Sequence, residues 1–298
     1  MIKFQFQVNH RDMCTFLKSN PLEIVPQNPD LSYAVVNVFF GVGIAEFVIC
    51  IGLLVFLIYH RNNRVIRQCA PLVTITMLFG VTILALGQIF LSFARTDAWC
   101  TINLYMFRIC LNIVFMSLLV KNYRIYKIFS NKKATAVSIT ESRLLFYIGI
   151  TCLFYIIILT TFVCIFGYKA ALKQSTSNQF YQYIQCSIPN KTWNSILIIF
   201  LELILIIQIF ASLILAWLTR KVQTEYRESR RLAAFSTMLF VELIIFVPLF
   251  YTLKDSTNSQ ILRYVITVEF LTVVILSAIF LLFVPIVLAV QSEKPKTE

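Results

Sequence analysis

Seven stretches of nearly uninterrupted apolar residues divide the chain, each separated from the next by a short polar connection. A helix rises about 1.5 Å per residue, so crossing a hydrocarbon core takes roughly 20 residues. The stretches 34–59, 71–91, 100–126, 144–167, 194–218, 233–253 and 262–290 all reach that length. A transmembrane barrel would instead show segments of about 10 residues with alternating polarity, and none is present in the sequence. The pattern predicts an all-α membrane protein, a bundle of seven transmembrane helices at 34–290. A 33-residue tail precedes the bundle and eight residues, 291–298, follow it.

Composition excludes the soluble alternative. Hydrophobic residues make up 59% of the chain and charged residues 13%, against about 25% charged in a soluble domain. The net charge of +12 would suit nucleic acid or an anionic membrane surface, and its distribution decides for the membrane. Fourteen Lys and Arg lie at the connections after the first, third and fifth helices, against six after the second, fourth and sixth. Cationic loops resist translocation, so the odd loops are cytoplasmic, the N-terminus is outside and the C-terminus inside. The location expected is the plasma membrane, with lipid as the surrounding partner and no nucleic acid. Residues 1–33 contain no long apolar run of the signal-peptide kind, so the first helix serves as the targeting signal. Neither end is long enough for a folded domain of ordinary size.

Two cysteines follow from this topology. Cys100 opens the third helix on the outer side and Cys186 lies in the large outer loop, where an oxidising compartment lets them join. Two unpaired surface thiols are the alternative. The sequon Asn190-Lys191-Thr192 falls in the same outer loop and is a candidate glycan acceptor.

Catalytic chemistry finds no support. The two His, His10 and His60, lie in the tail and at a loop, no Cys pair has metal-ligand spacing, and there is no Gly-rich phosphate loop. Neither an enzyme nor a cofactor is expected. A proton-coupled transporter also uses intramembrane carboxylates, but seven Gly and eight Pro supply no paired broken helices.

Several helix-end motifs carry a family resemblance. HRNNRVIRQCAP, His60 to Pro71, is followed by LVTITMLFG. LVKNYRIYKIF, Leu119 to Phe129, closes the third helix, Glu228-Ser229-Arg230-Arg231-Leu232 precedes the sixth, and Leu282-Phe283-Val284-Pro285 ends the seventh. In this order the motifs resemble class C G-protein-coupled receptors, the GABA-B branch in particular, over residues 34–290. Two features depart from the family. Its large outer ligand-binding domain has no counterpart in the first 33 residues, and Ile286 stands where the family carries a Lys.

The resemblance implies a receptor for a heterotrimeric G protein, working as a homodimer or heterodimer with another class C receptor. A non-signalling partner subunit is the second reading. It further implies an ionic lock between Lys121 and Glu228 at the cytoplasmic ends of helices three and six. Arg124, Lys127, Arg220 and Arg227 would then line the G-protein-facing cavity that opens when the helices separate. Each loop cation taken singly is also explained by headgroup contact.

Ionisable residues inside the bilayer are costly and face the bundle interior as a rule. Glu46, Arg108, Glu202, Glu242 and Glu269 stand out. Counted along their helices, Arg108 and Glu202 lie roughly 12 Å and Glu269 roughly 10 Å below the outer surface. The expectation is one buried polar layer of Arg108, Glu202 and Glu269, with Glu242 joining through water. It reads either as a pocket for a small polar ligand or as a network that fixes helix packing.

Glycosidase treatment of the chain from eukaryotic cells is expected to increase its gel mobility, and Asn190→Gln is expected to abolish that change.

Overall fold

A computed structural model describes residues 33–63, 66–67, 69–91, 97–130, 140–174, 182–188, 190–219, 227–252 and 259–292. Within them lie α1 (Tyr33–Tyr59), α2 (Pro71–Phe90), α3 (Asp97–Ser130), α4 (Glu141–Phe166), α5 (Lys191–Leu218) and α6 (Arg227–Thr252). The seventh span combines α7 (Ser259–Ala278), a π-helical turn (Ile279–Phe283) and α8 (Val284–Ser292). Among the described residues, seven helices are long and apolar enough to cross a membrane. The outer tail and the last six residues lie outside the described set.

Helix boundaries have local causes. Pro71 occupies the first turn of α2, where a missing N–H costs nothing and the ring presets φ. Ala70 before it adopts a positive φ of 54°, an uncommon conformation for a residue with a Cβ. α5 is capped by Asn190, whose side chain accepts from the amides of Thr192 and Trp193. α4 stops at Gly167, where φ is +66° and a side chain would be strained. In the last span, Pro285 cannot donate a backbone hydrogen bond, and its ring crowds the carbonyl four residues earlier. That carbonyl lies within the widened turn Ile279–Phe283, the adjustment expected beside such an obstruction.

The outer loop after α4 adds an element absent from the seven-span pattern. β1 (Lys169–Gln174) and β2 (Gln182–Ser187) pair antiparallel, with Ala170 opposite Cys186. A disulfide joins Cys186 to Cys100 near the start of α3. The Ala170 amide donates to Asp97 Oδ1 at 2.7 Å, and the Tyr168 hydroxyl donates to the Cys186 carbonyl at 3.4 Å. Two of these links hold the hairpin to the outer end of α3, and the third closes the loop on itself.

α3 is the axial helix. It packs on α2, α4 and α5 and also touches α6. Its inward residues Val114, Phe115 and Leu118 are at most 1% exposed, within a core that draws on every span. Lipid tails are as apolar as Leu, so association rests on close packing rather than on expulsion of water. α2 meets α3 through Gly80 and Gly87. A Cβ at Gly80 would lie 2.9 Å from Ile113 Cγ2, and one at Gly87 would lie 3.2 Å from the Phe107 ring. By contrast, nothing lies within 4 Å of a Cβ built at Gly52.

Gly80→Val is therefore expected to force α2 from α3 and lower stability by about 1–3 kcal/mol, the usual cost of overpacking. Gly52→Ala is expected to be neutral or to gain up to about 1 kcal/mol from helix propensity. Thermal unfolding of the detergent-purified variants checks the contrast.

Candidate functional site

Polar side chains inside the bundle collect around α3 at three levels. At the outer level, Arg108 and Glu202 each stand eleven residues into their helices, which both begin on the outer side. Their backbones are therefore level, about 16 Å down. The guanidinium Nη1 donates to Glu202 Oε1 at 2.6 Å, and the side chains are 15% and 20% exposed. A charge-assisted bond this short is among the stronger polar contacts a protein makes.

One turn inward, Gln208 Nε2 donates to Asn112 Oδ1 at 2.8 Å. The Asn112 amide donates to Thr151 Oγ1 at 3.3 Å. This link joins α3, α4 and α5, and Asn112 is fully buried. The innermost level lies near the cytoplasmic end. Asn122 Nδ2 donates to Ser212 Oγ at 2.7 Å and lies 3.2 Å from Ser236 Oγ. The two hydroxyls are 3.0 Å apart, which closes a knot between α3, α5 and α6. Both serines and Asn122 are at most 2% exposed.

The expected single layer of four charges divides into separate groups. Among the described residues Arg108 pairs with Glu202 alone. Glu269 does not reach it: α2 stands between α3 and α7, and Gln88 of α2 donates to Thr272 of α7 at 3.1 Å. Glu269 instead sits within electrostatic range of Glu242 on α6, and it is exposed on the bundle surface while Glu242 is half-buried. Glu46, in the middle of α1, is 2% exposed.

At the cytoplasmic end, Lys121 precedes Asn122 and is only 5% exposed, an unusual position for a lysine. Glu228 and Arg227 are placed in the first turn of α6 as backbone, with side chains outside the described residues. Ser229 beside them is 2% exposed, so the start of α6 is docked on the bundle. Arg124 is half-buried and Lys127 exposed, whereas Arg220 lies outside the described residues. Ile286 is buried in the core, where a lysine would need a partner. Asn190 is exposed at the outer end, compatible with a glycan.

No metal-binding group of three or more His, Cys, Asp or Glu exists among the described residues. The Asn112 and Asn122 links escape a search for charges, although their spacing carries a signal. Arg108, Asn112, Phe115 and Asn122 recur on one helical face, as do Leu205, Gln208 and Ser212.

The family model described as "7 transmembrane sweet-taste receptor of 3 GCPR" matches residues 30–286. Metabotropic glutamate receptor-like protein A of Dictyostelium discoideum is 26% identical over 233 residues, which are 78% of this chain and 29% of that protein. Protein M of the same series is 24% identical over 239 residues, 78% of this chain and 31% of that protein. Protein O is 33% identical over 96 residues, 32% of this chain and 12% of that protein. The chain thus spans less than a third of the length of these relatives.

Replacing Arg108 by Met leaves the Glu202 carboxylate without its cation. Breaking a buried pair this way costs about 3–5 kcal/mol, and the partial exposure of this pair places the expected loss at the lower end. Arg108→Met combined with Glu202→Leu is expected to recover most of it. A double-mutant cycle on unfolding midpoints gives the coupling.

Proposed function

The chain belongs to the class C, or family 3, G-protein-coupled receptors, and from that membership we propose that it transmits a signal to a heterotrimeric G protein on the cytoplasmic side. The observation that carries this reading is the burial of Lys121 at the inner end of α3, directly before the polar knot that ties α3 to α5 and α6. A cation placed there gives α6 a reason to stay closed. The proposed partner is Glu228 in the first turn of α6. Their attraction is strengthened by partial removal from water and offset by desolvation, so the pair acts as a switch element more than as bulk stability.

Release of the pair would free the inner end of α6, because the knot below it is made of neutral hydrogen bonds worth about 0.5–1.5 kcal/mol each. The cavity so opened would be bordered by Arg124 and Lys127 of α3, with Arg220 and Arg227 from the loop and start of α6. A positive rim fits an acidic or helix-terminal surface on the partner. The motifs at the ends of helices two, three, six and seven favour the GABA-B branch within the class. The class-wide habit of pairing supports action in a dimer with another class C receptor. A non-signalling partner subunit is the second reading, and the burial of Lys121 beside the knot favours the signalling one.

Polar residues of the outer and middle levels are read as structural. Arg108 is engaged by Glu202, and Asn112 by Gln208 and Thr151, so these groups are held mainly by one another, and the Gln208 carbonyl oxygen is without a partner among the described residues.

In cells expressing the chain at matched surface level, Glu228→Ala and Lys121→Ala are each expected to raise ligand-independent G-protein activation several-fold. Charge reversal at both positions together is expected to restore the low basal level. Unchanged basal activity in all three variants would refute the lock.

A further inference from the structure

Glu46 is the one intramembrane carboxylate that is almost fully enclosed, at 2% exposure, and neither of its oxygens has a hydrogen-bond partner among the described residues. Burying an isolated carboxylate costs many kcal/mol, so something must compensate it. The neighbouring helices supply the rest of a site. Gln88 of α2 is 1% exposed; its Nε2 donates to Thr272 Oγ1 at 3.1 Å, while its Oε1 is also without a donor.

Two contacts and the helical period bring these groups to one place. Phe39 of α1 meets Tyr264 of α7 edge to face, with ring centroids 6.2 Å apart. One turn inward, a Cβ at Gly43 would lie 3.6 Å from Gln88 Cγ. Glu46 is the next residue on that face, three positions on. Seven residues separate Phe39 from Glu46 and eight separate Tyr264 from Thr272, on helices that run in the same direction. At about 1.5 Å per residue, Glu46 and Thr272 therefore lie at nearly the same depth. Gln88 bridges from the third helix of the trio.

The arrangement is rich in acceptors. The Gln88 amide has turned its donor to Thr272, which leaves its own carbonyl oxygen and both Glu46 carboxylate oxygens with nothing to accept from, while the threonine oxygen keeps a second lone pair beside the one that accepts from Gln88. The threonine hydroxyl proton can serve one of these acceptors, and the others need a cation or a further donor. We infer that Glu46, Gln88 and Thr272 form a binding site for one sodium ion at the junction of α1, α2 and α7. The all-oxygen set suits a hard cation. Charge selects a monovalent one: a single carboxylate neutralises a single positive charge, whereas a divalent ion would leave a net charge in the middle of the bilayer. The absence of any group of three His, Cys, Asp or Glu among the described residues argues against zinc. An ion at this junction would draw α1 and α7 to α2.

The test uses the full chain in lipid nanodiscs, with thermal unfolding followed while sodium chloride replaces choline chloride at constant ionic strength. The expected result is a saturable rise of several degrees in the midpoint, as for any ligand that binds only the folded state. Glu46→Gln is expected to abolish the rise. Thr272→Val, which keeps the shape and removes one oxygen, is expected to raise the half-saturating sodium concentration at least about tenfold, since a bond to a charged group is worth 1.5–3 kcal/mol. Should Glu46→Gln fail to fold, Thr272→Val and Gln88→Leu decide the matter. The inference is overturned by equal midpoints in sodium and choline, or by a sodium response that none of the variants alters. Stabilisation by acid with no dependence on sodium also overturns it, since that outcome identifies a protonated Glu46 donating to Gln88.

Discussion

A polar side chain in hydrocarbon has no water to turn to, and α3 is organised around that constraint. It carries Arg108, Asn112 and Asn122 along its inward face, and each finds its partner on α5: Glu202, Gln208 and Ser212. The three links are spaced along the helices, so they fix the register of α3 against α5 as well as their contact. A slip of one residue would rotate every polar group by about 100° and leave it facing lipid or a hydrophobic neighbour. On the opposite side α3 accepts α2 through the bare backbones of Gly80 and Gly87. Polar pairing on one flank and close approach on the other place the axial helix, and the remaining helices pack on that frame.

The outer disulfide extends this arrangement beyond the bilayer. Cys100 lies near the start of α3, so joining it to Cys186 fastens the β1–β2 hairpin to the axial helix. The Asp97 to Ala170 hydrogen bond repeats the attachment one turn earlier on α3. A loop that would otherwise sample many conformations is thereby held over the bundle mouth, at an entropic cost met by a covalent bond and a charge-assisted hydrogen bond.

Much of this was legible in the sequence. Length and apolarity located all seven spans, because the bilayer allows only helices of one approximate length, although α6 begins at Arg227 and so well before the expected 233. The missed hairpin has a plain reason: KAALKQ and QYIQCS contain few β-branched residues, no strict alternation and no short Gly turn between them. Depth along a helix can be counted, and the counts for Arg108 and Glu202 agree with their pairing. Azimuth cannot be counted in the same way. Glu269 lies at a similar depth yet points elsewhere, since only packing reveals that α2 separates α7 from α3. The neutral links at Asn112 and Asn122 are hard to read from sequence because Asn, Gln and Ser stand out little in an apolar run, although buried in lipid they need partners as surely as charges do.

Tie strength is uneven around the bundle, and the unevenness bears on movement. α5 is joined to α3 at three levels, and α7 is joined to α2 through Gln88 and Thr272. α6 is different. Among the described residues its polar tie to the axis is Ser236 in the inner knot, a neutral contact, and Glu242 higher up has no hydrogen-bond partner. Pro248 further weakens the outer half of α6 by removing one backbone donor within the helix. Displacing α5 would break the Arg108–Glu202 ion pair, the Gln208–Asn112 bond and the Asn122–Ser212 bond, whereas displacing the inner end of α6 breaks, among the described side chains, the hydrogen bonds of Ser236 and, beyond them, the proposed Lys121–Glu228 pair. Among the described residues α3 and α5 are thus the more strongly tied pair and α6 the less tied, the asymmetry that the proposed switch would use.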